Sequence, residues 1–356
     1  MHTAHFQRFN QLPPAAQKLF QQAETLSFFL SEDWLNLLYQ TVFEAEHELR
    51  LYTVLDHELM ACLPMVYRLG GRGSKHLLAL ENYYSSYFQP VMPVAEVHHQ
   101  QLLNGLFKAI RYDAEKWDQI TLRPLPYSAI LFQQILTALR HNGYVCQPYF
   151  CFGNWYLPLN QGDYAAYYQG LSSQLQNTLS RKRKKLEKVK YRFELIQNSD
   201  NLTPYLEDFK KIYALSWKQP EPYVEFMPRL VHLCAHRSWL RLGLLYIEDK
   251  PAAAQIWIVN QGVASIYKLA YDPQLKEYSA GSLLTAYLMQ HVIDQDKVRE
   301  VDYLTGDDAY KRDWMSQRRE RWGIMAFNPR TINGLKGILR HVVTSRVKSW
   351  WTRRPQ

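Results

Sequence analysis

Four cysteines in 356 residues, Cys62, Cys146, Cys151 and Cys234, make no CxxC pair and no dense array. A disulfide scaffold and a zinc ribbon are therefore excluded, and buried, reduced thiols are expected. Glycine (15) and proline (17) are sparse. Collagen-like, low-complexity and disordered chains need more of them, or far fewer core formers than the 47% of residues that are hydrophobic here. No run approaches the roughly 18 uninterrupted apolar residues of a membrane span, and the opening MHTAHFQRFNQLPP has no apolar stretch of signal-peptide type, so a cytoplasmic chain is expected. Also missing are the GxxxxGK[ST], GxGxxG, GxSxG and HExxH words, and with them the standard phosphate loop, dinucleotide fingerprint, nucleophile elbow and zinc helix. His232-Leu233-Cys234-Ala235-His236 sets two histidines on one helical face, but no acidic third ligand is near and no metal is expected.

At roughly 100 to 200 residues per domain, the length fits two domains or one large one. Residues 1–170 carry 11 basic and 14 acidic side chains, a net −3, whereas residues 171–356 carry 31 and 19, a net +12. The second half is thereby expected to meet something anionic: phosphate, a nucleotide cofactor, nucleic acid or an anionic membrane. Two blocks hold the excess. Residues 181–192 have eight basic residues against the single acid Glu187, and the run reads as a solvated helix face or as a helix facing phosphate or nucleic acid. The tail, 331–356, follows the last acid, Glu320. There Leu335, Ile338, Leu339, Val342, Val343, Val347 and Trp350 keep helical spacing while Lys336, Arg340, Arg346 and Lys348 spread over the rest. Such a helix docks on its own domain or lies on an anionic membrane surface.

The spacing of apolar and turn residues predicts strands over 240–248, 252–259 and 263–271, an antiparallel meander. A helix over 279–293 follows, with Leu283, Leu284, Tyr287, Leu288 and Val292 on one face and Ser279 placed to cap it. Then come a strand (300–305), a short helix (307–316) and a last strand (321–328). The first half offers the same order: strands 50–55, 59–67 and 76–81, a helix over 96–111, a strand over 117–122, a helix over 127–142 and a strand over 144–150. The repeat is offset by roughly 180 to 190 residues. Tyr83, Tyr84, Tyr87 and Phe88 line a substrate groove or fill the gap between the halves.

A helix that opens with Ser279-Ala280-Gly281-Ser282 directly after a strand presents free N–H groups and the positive end of its dipole, an anion site that small residues let a pyrophosphate approach. With that helix start, Tyr271-Asp272-Pro273, Asp302-Tyr303-Leu304-Thr305-Gly306-Asp307-Asp308-Ala309-Tyr310-Lys311, LSRKRKKLEK at 179–188, Trp34 and LPMVYR at 63–68, the chain resembles the GNAT acyltransferase superfamily. Its words are closest to the double-domain branch of FemAB-type aminoacyl transferases and CelD-like acetyltransferase domains, and they cover most of 26–327.

The resemblance implies an α/β (α+β) fold of two tandem GNAT-like domains, each a mixed, mostly antiparallel sheet flanked by helices. The expected divisions are a degenerate first domain (1–160), a basic helical connector (161–192), the acyltransferase domain (193–330) and a basic carboxyl-terminal helix (331–356). It also implies an acyl-CoA, acetyl-CoA foremost, whose pantetheine adds like a strand to 267–271, including Leu269 and Tyr271, where the third strand parts from 300–304. The pyrophosphate would meet Lys276, Ser279, Gly281 and Ser282. The family's phosphate loop reads [QR]xxGx[GA], and here Lys276 replaces Gln or Arg and Ser279 replaces the first Gly. Transfer to an amine or hydroxyl needs a base, an oxyanion stabiliser and a proton for the thiolate. Asp302 or Asp307 is expected to orient or deprotonate the acceptor, Lys311 to stabilise negative charge, and Tyr310 or Tyr271 to protonate the sulfur. The acceptor implied is a sugar, polysaccharide or cell-envelope precursor. Alternatives are a FemAB-type transferase that takes its aminoacyl group from tRNA, or a degenerate module at the membrane surface.

Overall fold

The computed structural model describes residues 1–69, 73–127, 130–159, 162–216 and 218–343. The chain divides into two compact units, 1–152 with 320–356, and 153–319. In the first unit β1 (His2–Phe6) precedes α1 (Pro14–Glu24) and α2 (Glu32–Leu38), the latter capped by Ser31, whose Oγ accepts from the Trp34 N–H at 3.2 Å. There follow β2 (Glu48–Asp56), β3 (Leu59–Leu69), β4 (Lys75–Ala79), α3 (His99–Arg111), β5 (Gln119–Pro126), α4 (Ile130–His141) and β6 (Val145–Pro158). Helix α3 buries Leu102, Leu103, Leu106, Phe107 and Ile110, spaced as one face of a 3.6-residue period. Gly143 then ends the turn after α4 at φ 80°. Strands β1 to β4 pair antiparallel, and β4 runs parallel to β5. Trp117, Phe107, Phe132, Leu122 and Ile135 fill the core against this sheet.

The second unit holds α5 (Tyr164–Gly170), α6 (Ser173–Leu186), β7 (Tyr191–Ile196), α7 (Leu202–Leu215), α8 (Phe226–His236), β8 (Leu240–Ile247), β9 (Lys250–Asn260), β10 (Val263–Tyr271), α9 (Ala280–Asp294), β11 (Glu300–Asp302) and α10 (Ala309–Trp314). Two-residue turns at Glu248-Asp249 (φ 48° and 59°) and Gln261-Gly262 (φ 48° and 73°) join β8, β9 and β10. Positive φ at both positions matches the twist of the strands they join. Strands β7 to β10 are antiparallel, and β10 is parallel to β11. Trp257, Leu284, Leu288, Met289 and Val301 lie at the centre of this core. The chain is thus a mixed α/β protein of mostly antiparallel sheets flanked by helices, as expected.

The run strand, strand, strand, helix, strand, helix, strand occurs twice, as β2–β6 with α3 and α4, then as β8–β12 with α9 and α10, β12 being Gln317–Phe327. The offset is 192 residues at the first strand (48 to 240) and 172 at the last (145 to 317). The last strands do not stay with their own repeats. Residues 156–158 of β6 pair antiparallel with β11, whereas 321–327 of β12 pair with β5. The divisions therefore differ from the expected 1–160, 161–192 and 193–330: 153–160 and the whole basic segment belong to the second unit, and 320–330 to the first. The segment 161–192 is no free connector, because α5 and α6 pack against α9. The expected strand 300–305 stops at Asp302, where Leu304 (φ 56°) and Gly306 (φ 109°) turn the backbone left-handed. Of the expected tail helix, α11 (Ile332–Ile338) and Leu339–Val343 form, and the remainder lies outside the described residues.

Candidate active site

In the second unit β10 and β11 are paired only from Val263/Glu300 to Ser265/Asp302. Strand β10 continues to Tyr271 along β9, with a bulge between Ile266 and Lys268, while β11 has ended. Its far half, with Leu269 and Tyr271, thus lies beyond the last pairing with β11. A strand edge that its neighbour has left behind is a template for an added strand.

Beyond β10, the turn Pro273–Tyr278 leads into α9 through Ser279 at φ 51°, ψ 45°. The expected side-chain cap by Ser279 is absent; its place is a backbone one. The left-handed conformation is the one for which glycine is suited. The first intrahelical bond is the Leu283 N–H donating to Ser279 O at 3.1 Å, so the amides of Ala280, Gly281 and Ser282 have no acceptor inside the helix. A Cβ at Gly281 would stand 3.2 Å from the Tyr271 ring, and the missing side chain lets β10 and the helix start approach. Buried Gln255 on β9 ties this corner together, donating to Gly281 O and to Thr285 Oγ1, each at 2.9 Å. Lys276 is exposed on the turn. From α6, Lys182 donates to Glu277 O and Lys185 pairs with the Glu277 carboxylate, both at 2.5 Å. Part of the basic run therefore borders the small-residue helix start.

Asp302 is buried, and its oxygens accept from Asn154 Nδ2 (2.6 Å), the Leu304 N–H (2.6 Å) and Arg319 Nη2 (2.5 Å). Arg319 also pairs with Glu300 at 2.7 Å and donates to Asn154 Oδ1 at 2.6 Å. With this set of partners, Asp302 holds the end of β11. Asp307 accepts from Trp155 Nε1 at 2.8 Å and is gripped by Arg318 at 2.7 to 3.0 Å. That guanidinium holds the carboxyl below its usual range. A Cβ at Gly153 would lie 2.6 Å from Arg318 and 2.7 Å from Asp307, so the pair needs glycine there.

The Lys311 ammonium is buried and donates to Thr305 O (2.5 Å), Tyr303 O (3.3 Å) and Gly306 O (3.4 Å), with Asp308 at 3.5 Å. Its three protons are directed at the loop's carbonyls rather than outward, and burial lowers its pKa. Tyr310 is partly exposed and packs edge-on against Tyr303 at 5.7 Å; burial and Asp308 push its pKa up to about 12.

Sequence reasoning missed a cluster at the bulge. Lys268 pairs with Glu221 at 2.6 Å, and the same Glu221 oxygen accepts from the Tyr213 hydroxyl at 2.5 Å. Lys218 lies 5.7 Å from the Tyr213 ring centroid; burial, then Lys268, push its pKa down to about 8. A lysine inside VASIYKLAY was the available signal, since charge in a buried strand is rare without a partner. Asn154, Trp155, Arg318 and Arg319 gave none, because ordinary polar residues far from 302 in sequence mark nothing. The aromatics of 83–88 divide within the first unit: Tyr84 and Phe88 are buried, Tyr83 is exposed, and Tyr87 lies under Arg321 at 5.0 Å. Among the described residues no group of three or more metal-ligating side chains occurs, and the His232 and His236 pair gains no third ligand.

The second unit thus holds a parallel strand pair that parts at a bulge, beside a helix start with open amides. Residues 173–312, which lie within the second unit, match the family described as "Acetyltransferase (GNAT) domain". Over the whole chain the fold is similar to that of FemX (TM-score 0.64, 8% identity, 94% of this chain and 99% of that one). It is similar also to the C-terminal domain of a lysylphosphatidylglycerol synthetase from Agrobacterium fabrum, described as putative (TM-score 0.53, 12% identity, 92% and 96% covered), and to L-PGS from Bacillus licheniformis (0.53, 12%, 89% and 95%). At these identities the likeness is one of fold. No curated protein matches the sequence.

Proposed function

We propose that the protein is an acyl-CoA-dependent N- or O-acyltransferase, with acetyl-CoA as donor and a sugar, polysaccharide or cell-envelope precursor as acceptor. The observation that carries this reading is the parting of β10 from β11 beside the open amides of Ala280, Gly281 and Ser282. The residues fit such a donor: the β10 edge at Leu269 and Tyr271 offers backbone to an amide-bearing arm, and the start of α9, with Lys276, Lys182 and Lys185 around its turn, offers positive potential to a pyrophosphate. Bound there, the donor would supply an activated thioester carbonyl.

In direct attack the acceptor's N–H or O–H adds to that carbonyl and the carbon–sulfur bond breaks. Tyr310, protonated through neutral pH, supplies the proton to the departing sulfur. Lys218, partly neutral near pH 8, takes the proton from the acceptor. Asp307, locked as a carboxylate by Arg318, orients the acceptor, whereas Asp302 and Lys311 position the β11 end and its following loop. The test is calorimetric titration of the full chain with acetyl-CoA. Binding in the micromolar range is expected, and no heat up to millimolar concentration overturns the CoA reading.

A tRNA-borne aminoacyl donor is the second reading, favoured by Arg181, Arg183 and Lys184 standing exposed on α6. It requires charged tRNA to bind with a steep salt dependence that disappears when Arg181, Lys182, Arg183 and Lys184 are all changed to Glu. The third reading, a peripheral module on anionic membrane, rests on the basic tail. Among the described residues no helix is long and apolar enough to cross a membrane.

A further inference from the structure

In the first unit, helix α11 is docked by one side and bare on the other. Thr331 caps it, its Oγ1 accepting from the Gly334 N–H at 3.1 Å, and beyond Ile338 the helix runs on as Leu339–Val343. A Cβ at Gly334 would overlap Asn328 O, and one at Gly337 the Phe327 ring. Two glycines one turn apart thus let the helix lie directly against the end of β12. Asn333 Nδ2 donates to buried Asp118 at 3.2 Å, and the His341 ring stacks on Phe327 at 5.6 Å and 12°. At 3.6 residues per turn, Ile332, Leu335 and Leu339 fall on the side opposite the two glycines, and they are 74%, 48% and 63% exposed. Lys336 and Arg340, both exposed, flank that apolar stripe.

We propose that this face docks the protein on an anionic lipid bilayer, with Ile332, Leu335 and Leu339 entering the headgroup boundary and Lys336 and Arg340 meeting lipid phosphates. The glycines fix the rotation of the helix: turned inward, the apolar stripe would need room that Asn328 and Phe327 already fill. A single exposed leucine needs no explanation, but a helix stripe of three beside cations is the pattern of an interfacial helix. Charge selects the occupant. Residues 321–356 hold eight Lys or Arg and no acid, and a second copy of this face would set like charges against each other across a two-fold interface. Nucleic acid would meet the cations and leave the apolar stripe in water, whereas a bilayer boundary supplies both phosphate and hydrocarbon. The sequence beyond Val343, with Trp350 and Trp351 among four cations, has a composition suited to the same boundary. The inference goes beyond the transferase reading and does not rest on it, since the face belongs to the first unit and the candidate active site to the second.

The experiment is flotation of the full chain with vesicles of phosphatidylcholine, alone or mixed with phosphatidylglycerol. Binding to the mixed vesicles is expected, weakening as salt rises, with little binding to phosphatidylcholine alone. Leu335→Glu combined with Leu339→Glu, both surface changes, should lower the affinity at least tenfold with the melting transition unchanged. Lys336→Glu with Arg340→Glu should also weaken binding and flatten its salt dependence. No flotation with the mixed vesicles at low salt overturns the proposal, as does equal binding to phosphatidylcholine alone. Binding that ignores the leucine pair but is lost when Arg346, Lys348, Arg353 and Arg354 are changed to Glu would place the attraction on charge alone and overturn the docking face. A dimer in solution that the leucine pair dissolves, without vesicle binding, would give the face to a second copy; binding to duplex DNA, without vesicle binding, would give the basic run to nucleic acid. Either overturns the proposal. Vesicle binding without acetyl-CoA binding would keep this inference and remove the CoA donor, and the reverse would remove this inference alone.

Discussion

At Ser279 the backbone lies in the left-handed region, φ 51° and ψ 45°, at the position where the resembled phosphate loop has glycine. The substitution keeps the conformation and stores its strain, about 1 to 2 kcal/mol for a residue with a Cβ. Glycine would relieve that strain but cost about 0.5 to 1 kcal/mol in unfolded-chain entropy, so relief wins by a small margin. Ser279→Gly is expected to stabilise the protein by about 0.5 to 1 kcal/mol in urea denaturation and to bind acetyl-CoA at least as tightly; a destabilised variant would contradict the assignment of strain. The acidic residues of the site show the opposite economy. Asp302 and Asp307 each answer an arginine, and Arg318 holds the Asp307 carboxyl below its usual range, which makes it a poor base near neutrality, because taking up a proton forfeits the ion pair.

Among the elements, α6 combines both readings of a charge run. Leu179 and Leu186 are buried, Lys182 and Lys185 bend over the turn before α9, and Arg181, Arg183 and Lys184 remain exposed. Exposed cations alone contribute little to stability, whereas cations gathered where an anion binds raise its affinity and make it depend on salt. Changing Lys182 and Lys185 together to Glu is expected to weaken acetyl-CoA at least tenfold at 50 mM salt and to flatten the difference between 50 and 300 mM. Unchanged affinity in a variant with an unchanged melting transition would remove these two lysines from the donor site. The bulge in β10 acts at the same scale: one irregularity between Ile266 and Lys268 falls where the strand leaves β11 and where Lys268 meets Glu221.

For the molecule as a whole, each repeat completes its sheet with residues of the other repeat's last strand. Ile324 and Ala326 of β12 lie in the core of the first unit, and Asn328 anchors the returning chain there, accepting from Arg111 at 2.5 Å and donating to Trp117 O at 2.9 Å. Residues 156–158 of β6 in turn cover the edge of β11. A fragment cut at the sequence-derived boundaries, 193–330, would lose that covering strand, α5, α6 and Asn154, while carrying a β12 segment without its partner β5. It is expected to lack a cooperative thermal transition, whereas the full chain shows one; cooperative, reversible melting of the fragment would show that the exchanged strands are dispensable.

Apolar spacing and turn residues determined the element order and its repeat, because helices, hairpins and caps are decided by neighbours within a few positions. The same local rules marked the start of α9 and the far half of β10, so the part of the site made of backbone was legible. Tertiary structure alone decided which strand completes each sheet and which side chains meet at the site. Asn154 donates to Asp302 from 148 positions away and Arg319 reaches Asn154 across 165, and no periodicity reports a hydrogen bond of that separation. A cavity of about 320 Å³ in the second unit was hidden for the same reason: Tyr164, Arg183, Phe193 and Tyr287 in its lining come from four elements, and each alone is an ordinary residue of an amphipathic helix or strand.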